Sequence, residues 1–165
     1  MKILVAYAGK TSTKKCVDYI KMVSTNEVTL YDTKVGGNIN VSDYDVIIMG
    51  GSIRIGVMDN TIRKFASDAD LTGKKVGLFV VCGVFDNTEK YLRTNFINIV
   101  PDAEACFGGE FLMSKVKGLE KIIIKKAIKD SEKKKKPLPQ IDYQIIKDFL
   151  MKLSEDGSIE STIDF

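Results

Sequence analysis

Six residues near the amino terminus, Ala8-Gly9-Lys10-Thr11-Ser12-Thr13, have the types and spacing to hold an anion. They follow a short apolar run, Ile3 to Tyr7, and lead into a segment with Cys16, Val17, Ile20 and Val23 on one helical face. A buried strand that delivers a small-residue loop to a helix start is a phosphate cradle. The first turn of a helix leaves backbone N–H groups without intrahelical partners, and its dipole favours negative charge there. Thr11, Ser12 and Thr13 add hydroxyls and Lys10 adds a cation. The same pattern also suits an ordinary strand-to-helix loop with a Ser or Thr cap, and this loop alone leaves both readings open.

The elements that would position the loop follow from periodicity. Glu27 to Tyr31 alternates as a short strand, and Asp45 to Met49 is a buried-type strand expected to end abruptly at Gly50-Gly51-Ser52. Asn60 to Ala69 has helical spacing, with Asp59 or Asn60 as its cap. Lys75 to Cys82 is a third apolar strand, stopped by Gly83. Thr88 to Ile99 reads as a helix and Ala103 to Phe107 as a fifth strand. Leu119 to Ile128 has the apolar density of a buried helix face, with its isoleucines expected to face the sheet. Ile141 to Leu153 is a final amphipathic helix. Alternating strands and helices with continuous apolar strands predict an α/β protein with a doubly wound parallel sheet covered on both faces. Five strands suit the order 2-1-3-4-5 in a single three-layer domain over 1–153, with a polar acidic tail over 154–165. Ligands of such sheets bind outside the carboxyl ends of the strands. Three glycine-containing, polar-tipped segments reach that rim: Ala8 to Thr13, Gly50 to Gly56 and Gly83 to Asn87.

Composition narrows the chemistry. At 165 residues, 44% hydrophobic and 28% charged, the chain has the make-up of one soluble globular domain. It contains no histidine, which removes His-based triads, His metal sites and the usual general base. Cys16, Cys82 and Cys106 show no Cys-x-x-Cys spacing and read as reduced core thiols of a cytoplasmic protein, with no metal site expected. The first strand is too short for a signal peptide, and no apolar run reaches membrane-spanning length. No Gly-x-Gly-x-x-Gly or Walker lysine motif follows the first strand, which disfavours nicotinamide and nucleoside triphosphate sites. Charge is uneven: Lys115 to Lys136 holds ten lysines against Glu120, Asp130 and Glu132. A solvated loop, an anionic membrane surface reached through the interleaved isoleucines, and an acidic redox partner all suit this block. Nucleic acid does not, because no aromatic stacking platform accompanies the lysines.

Val5 to Thr13 together with Tyr44-Asp45-Val46-Ile47-Ile48-Met49-Gly50-Gly51-Ser52-Ile53-Arg54-Ile55-Gly56 resembles the flavodoxin family. More narrowly, it is similar to the branch that includes menaquinone-dependent protoporphyrinogen dehydrogenase. The resemblance runs to about residue 153, and the Gly-Ser-Ile-Arg loop is its most specific part. It implies bound flavin mononucleotide, FMN, with the phosphate on Ala8, Gly9, Lys10, Thr11, Ser12 and Thr13. The ring is then expected between Gly51, Ser52, Ile53, Arg54 and Ile55 on one side and Cys82, Gly83, Val84 and Phe85 on the other. Arg54 would stabilise negative charge on the reduced ring, and Phe85, Ile53 and Ile55 would supply flat apolar walls in a chain without tryptophan. Two positions depart from the family pattern. Ala8 stands where a hydroxyl residue is usual, and Thr11 where a glycine is usual. The implied function is a small FMN-dependent oxidoreductase linked to quinone or porphyrinogen. A flavodoxin-type electron carrier and a flavin-free partner-binding module are the alternatives. The expected location is the cytoplasm, including the inner face of the membrane.

Overall fold

We describe the computed structural model over residues 1–83, 87–110 and 117–154. Five strands, β1 (Lys2–Ala8), β2 (Glu27–Asp32), β3 (Val46–Ser52), β4 (Lys75–Val81) and β5 (Ala103–Cys106), form one sheet of order β2-β1-β3-β4-β5. All four pairings are parallel. The helices are α1 (Thr11–Val23), α2 (Asn60–Asp68), α3 (Thr88–Asn95), α4 (Leu119–Lys133) and α5 (Tyr143–Leu153).

The continuous apolar strands are explained by burial on both faces. Ile3, Val5 and Tyr7 of β1 point to a core shared with Cys16, Val17 and Ile20 of α1 and Ile146, Phe149, Leu150 and Leu153 of α5. Leu4, Ala6 and Ala8 point the other way, to Ile62 and Ala66 of α2 and Leu92 of α3. Phe107 ties the first layer together, stacked on Phe79 at 4.8 Å and edge-on to Phe149 at 5.2 Å. Each such side chain, fully buried, stabilises the fold by roughly 1.5–3 kcal/mol.

Several boundaries differ from the sequence reading. β3 does not end at Met49 but continues through Gly50, Gly51 and Ser52, pairing with Tyr7 and Ala8 on one side and Phe79, Val80 and Val81 on the other. A Cβ on Gly51 would run into the Ala8 carbonyl, so the glycine permits the close strand approach. α3 stops at Asn95 instead of Ile99: the buried Asn95 side chain accepts the Met58 N–H from across the fold, and Asn98 takes a φ of 63°. α5 starts at Tyr143, since Ile141 bridges to Gly108 and the Asp142 carboxylate caps the helix. α4 runs on to Lys133, and its apolar residues do not all face the sheet. Leu119 is 65%, Ile122 65% and Ile123 51% exposed. The reason is occupancy: α1 and α5 already cover one face of the sheet and α2 and α3 the other.

Candidate functional site

At the carboxyl ends of β1 and β3 lies an open cleft of about 170 Å³, lined by Ala8, Gly9, Lys10, Lys34, Ser52, Arg54, Val57, Met58 and Asp59. This is the switch point beside β1, where chain connections leave to opposite faces of the sheet. A crevice at the opposite ends of the strands, lined by Met1, Ile3, Ser24 and Leu150 among others, holds only about 10 Å³, too little for a ligand.

The first wall is the β1–α1 loop. A Cβ on Gly9 would run into the Thr13 side chain, so the chain folds tightly over that hydroxyl. Thr13 is fully buried, and its Oγ1 has no hydrogen-bond partner among the described residues. α1 also lacks a side-chain cap at Lys10 and has no acidic residue in its first turn. By contrast, Asp59 caps α2 and Asp142 caps α5. A helix start without its own carboxylate, beside an unsatisfied buried hydroxyl, is suited to an external anion. Thr11 enters the helix with a φ of 30°, in the region where glycine is at ease. Ser12 is engaged already, since its Oγ accepts the Glu110 N–H at 3.2 Å. The Glu110 carboxylate is in turn held by Lys15 at 2.7 Å.

The second wall is the β3–α2 loop. The Arg54 N–H donates to the Val57 carbonyl at 2.8 Å, and the Val57 N–H returns to Arg54 at 3.2 Å. Ile55 and Gly56 between them have φ of 51° and 82°. Both central residues at positive φ make this a two-residue hairpin turn of the primed type. A β-branched residue is costly there, and Ile55 stands 73% exposed at the tip. Ile53 packs half-buried against the α2 and α3 core, so the exposed apolar side chains of this loop are Ile55 and Val57. The buried Asn95 fixes the loop from below: its Oδ1 accepts the Met58 N–H at 2.7 Å and its Nδ2 donates to the Tyr91 carbonyl at 2.8 Å.

The cleft is electropositive, with Lys10, Lys34 and Arg54 against Asp59. Asp59 is already committed. Its carboxylate accepts the Thr61 N–H at 3.0 Å and the Thr61 hydroxyl at 2.8 Å, and pairs with Lys34 at 3.0 Å. The Thr61 N–H, first of these, and then Lys34 hold its carboxyl down at about 2. Tyr7, buried at the end of β1, has its phenol pushed up, chiefly by desolvation and then by Asp32.

Thus the fold brings Ala8, Gly9 and Lys10 together with Ser52 and Arg54, as expected. Gly51 is buried one position below. Cys82 and Gly83 lie on the same rim at the end of β4, half-buried, without lining the cleft. Val84 and Phe85 lie outside the described residues. Lys34, Val57 and Met58 were not foreseen. Lys34 is brought in because β2 pairs directly with β1, as the expected strand order requires, but which residue after β2 reaches the cleft is set by the fold. Asp59 was legible as a cap, but its place in the cleft was not.

The flavodoxin domain profile matches residues 4–137, most of the chain. The chain belongs to the flavodoxin-domain family. This flavodoxin-domain protein is similar in fold to oxidised flavodoxin 1 of Bacillus cereus, with a TM-score of 0.51 at 19% identity. That alignment covers 93% of this chain and 100% of the other. A flavodoxin of Fusobacterium nucleatum bound to flavin mononucleotide aligns with a TM-score of 0.47 at 19% identity, over 66% of this chain and 71% of that one. No curated protein sequence matches the chain.

Proposed function

We propose that this chain binds FMN and works as a small flavoprotein oxidoreductase on a quinone- or porphyrinogen-class substrate. The observation that carries the flavin reading is Thr13 Oγ1, a buried hydroxyl without a partner among the described residues, beneath Gly9 at an uncapped helix start. Leaving such a group unsatisfied costs about 1–3 kcal/mol, and a phosphate oxygen would recover it. The residues present therefore fit the group. Gly9 to Thr13 would hold the phosphate, with Lys10 supplying charge, and Thr13 stands in for the hydroxyl that Ala8 lacks. Arg54 and Lys34 give the cleft a positive field that favours an anionic reduced ring, and Ile55 and Val57 supply apolar cover. Bound flavin would supply the electron and hydride transfer.

Parallel fluorescence titrations with FMN and riboflavin test this reading. FMN should bind more tightly, and Thr13→Val should remove about tenfold or more of that advantage while sparing riboflavin, the worth of a charge-assisted hydrogen bond. Equal affinities for the two ligands in the wild type would overturn it.

The quinone-linked part draws support from α4. Lys121, Lys125, Lys126, Lys129 and Lys133 to Lys136 are all exposed, as are Leu119, Ile122 and Ile123. At 100° per residue, Lys126, Lys129 and Lys133 fall on the same side as Leu119 and Ile122. A face of lysines around exposed apolar side chains suits the interface of an anionic membrane, where quinones are found. A carrier shuttling between soluble proteins has no need of it. No helix among the described residues is long and apolar enough to cross a membrane, so the contact would be peripheral.

A further inference from the structure

The molecule holds a close pair of thiols that does not line the cleft. Cys82, at the end of β4, and Cys106, at the end of β5, place their sulfurs 3.5 Å apart. Cys106 Sγ also lies 3.6 Å from the Cys82 carbonyl. Cys106 pairs in register with Val80, and Cys82 follows two residues later, on the same side of β4. Both thiols belong to the α2 and α3 layer, whereas Cys16 is sealed in the opposite layer. None of the three forms a disulfide, and Cys82 is the more exposed member of the close pair.

We propose that Cys82 and Cys106 form an oxidisable dithiol that a hydroperoxide converts to an intramolecular disulfide. A disulfide needs its sulfurs at about 2.05 Å, so about 1.5 Å of approach suffices. In the first step Cys106, ionised with its own proton released to solvent, takes the proton of the Cys82 thiol, and the Cys82 thiolate attacks one peroxide oxygen. The O–O bond breaks, hydroxide or alkoxide leaves, and Cys82 becomes a sulfenic acid. Cys106, deprotonated by the leaving base, then attacks the Cys82 sulfur. The S–S bond forms and the S–O bond breaks, releasing hydroxide that takes up the remaining proton. Two thiols and one hydroperoxide thus give one disulfide, one water and one further water or alcohol, with two electrons passing from sulfur to oxygen.

The surroundings favour a thiolate within the pair. The hydrogen bond from Cys82 acts most strongly to lower the Cys106 thiol, against the opposing effect of burial. The Gly108 N–H and the Thr88 side chain add to it. The dithiol shares one proton readily, so either sulfur can present the nucleophile. Cys16 is the internal contrast, pushed up to about 12 chiefly by desolvation, and it should stay inert.

The experiment uses the full reduced chain without flavin, so its result is independent of the proposed function. One equivalent of hydrogen peroxide should lower the thiols titrated in denaturant from three to one. The intact mass should fall by two hydrogens, a peptide map should join Cys82 to Cys106, and dithiothreitol should reverse all three changes. Cys106→Ser, which lacks both the base and the resolving thiol, should form no intramolecular disulfide under the same treatment. Cys16→Ser should behave as the wild type. Three thiols persisting, a link that includes Cys16, or oxidation beyond sulfenic acid without a link would overturn the proposal. Thiol count and peptide map on the wild type decide it even if a variant does not fold.

Discussion

Thr11 and Ile55 are the two residues at which the loops walling the cleft hold conformations unfavourable to their own side chains, with φ of 30° and 51°. Strain of this kind costs on the order of 1–3 kcal/mol and survives only where surrounding structure enforces it. At Thr11 the enforcing structure is the tight passage of Gly9 over Thr13. Thr11→Gly relieves the strain at the cost of about 0.5–1 kcal/mol in chain entropy. We expect the variant to gain up to about 1 kcal/mol in urea unfolding and to bind FMN more tightly. A loss on both measures would mean that the threonine side chain is worth more than its strain. The need for a positive φ was visible in sequence only as a departure from the glycine usual in the family. At Ile55 nothing in the sequence gave warning, because β-branched residues belong by preference to strands.

Among the elements, two helices start with a carboxylate cap, while α1, α3 and α4 start without a side-chain cap bond. Asp59 and Asp142 accept N–H groups of α2 and α5, whereas α1 has no side-chain cap. Asp59→Ala should cost roughly 1 kcal/mol, typical of a lost cap. Its pH dependence has a definite sign. The folded carboxyl is held at about 2, below its ordinary 3.8, by the Thr61 N–H and then Lys34. The stabilisation is therefore complete above about pH 4 and is lost as pH falls toward 2. Asp59→Asn keeps a cap but cannot titrate. Its stability deficit against wild type in urea should be constant above pH 4 and shrink below it. A deficit unchanged down to pH 2 would show that the carboxylate charge contributes nothing. The cap was legible from Asp59 standing before an apolar-periodic run, because capping is local. The extension of β3 through Gly50 and Gly51 was not, since glycine reads as a stop until the Ala8 carbonyl is found against it.

For the whole molecule, charge separates from fold. Residues 1–114 carry equal numbers of acidic and basic side chains, while Lys115 to Lys136 carries a net +7. Five of these lysines stand on α4 and three more, Lys134 to Lys136, follow it directly, with Leu119, Ile122 and Ile123 exposed beside them. Near an anionic surface each lysine contributes about 1 kcal/mol, and the attraction fades over a Debye length of about 10 Å at 0.1 M salt. The protein should co-sediment with vesicles rich in anionic lipid and release steeply as salt rises. Neutralising Lys133 to Lys136 should weaken that binding and leave FMN affinity intact. A wild type that ignores such vesicles at low salt would remove the support for a membrane-linked substrate.

Element types, the two-faced burial of the strands and the small-residue loop at the first helix start were legible in the sequence itself, because burial period and helix-start chemistry act between near neighbours. Ile3 to Ala8 alternates its two faces whatever lies beyond it, and Gly9 to Thr13 must follow. Three things were decided only by tertiary structure. Lys34 enters the cleft because β2 lies against β1, and Cys82 meets Cys106 because β4 lies against β5. Ile122 and Ile123 of α4 meet solvent because helices from distant parts of the chain already cover both faces of the sheet. Apolar spacing specifies that a helix has a face to bury. Whether a place remains to bury it depends on every other element of the fold.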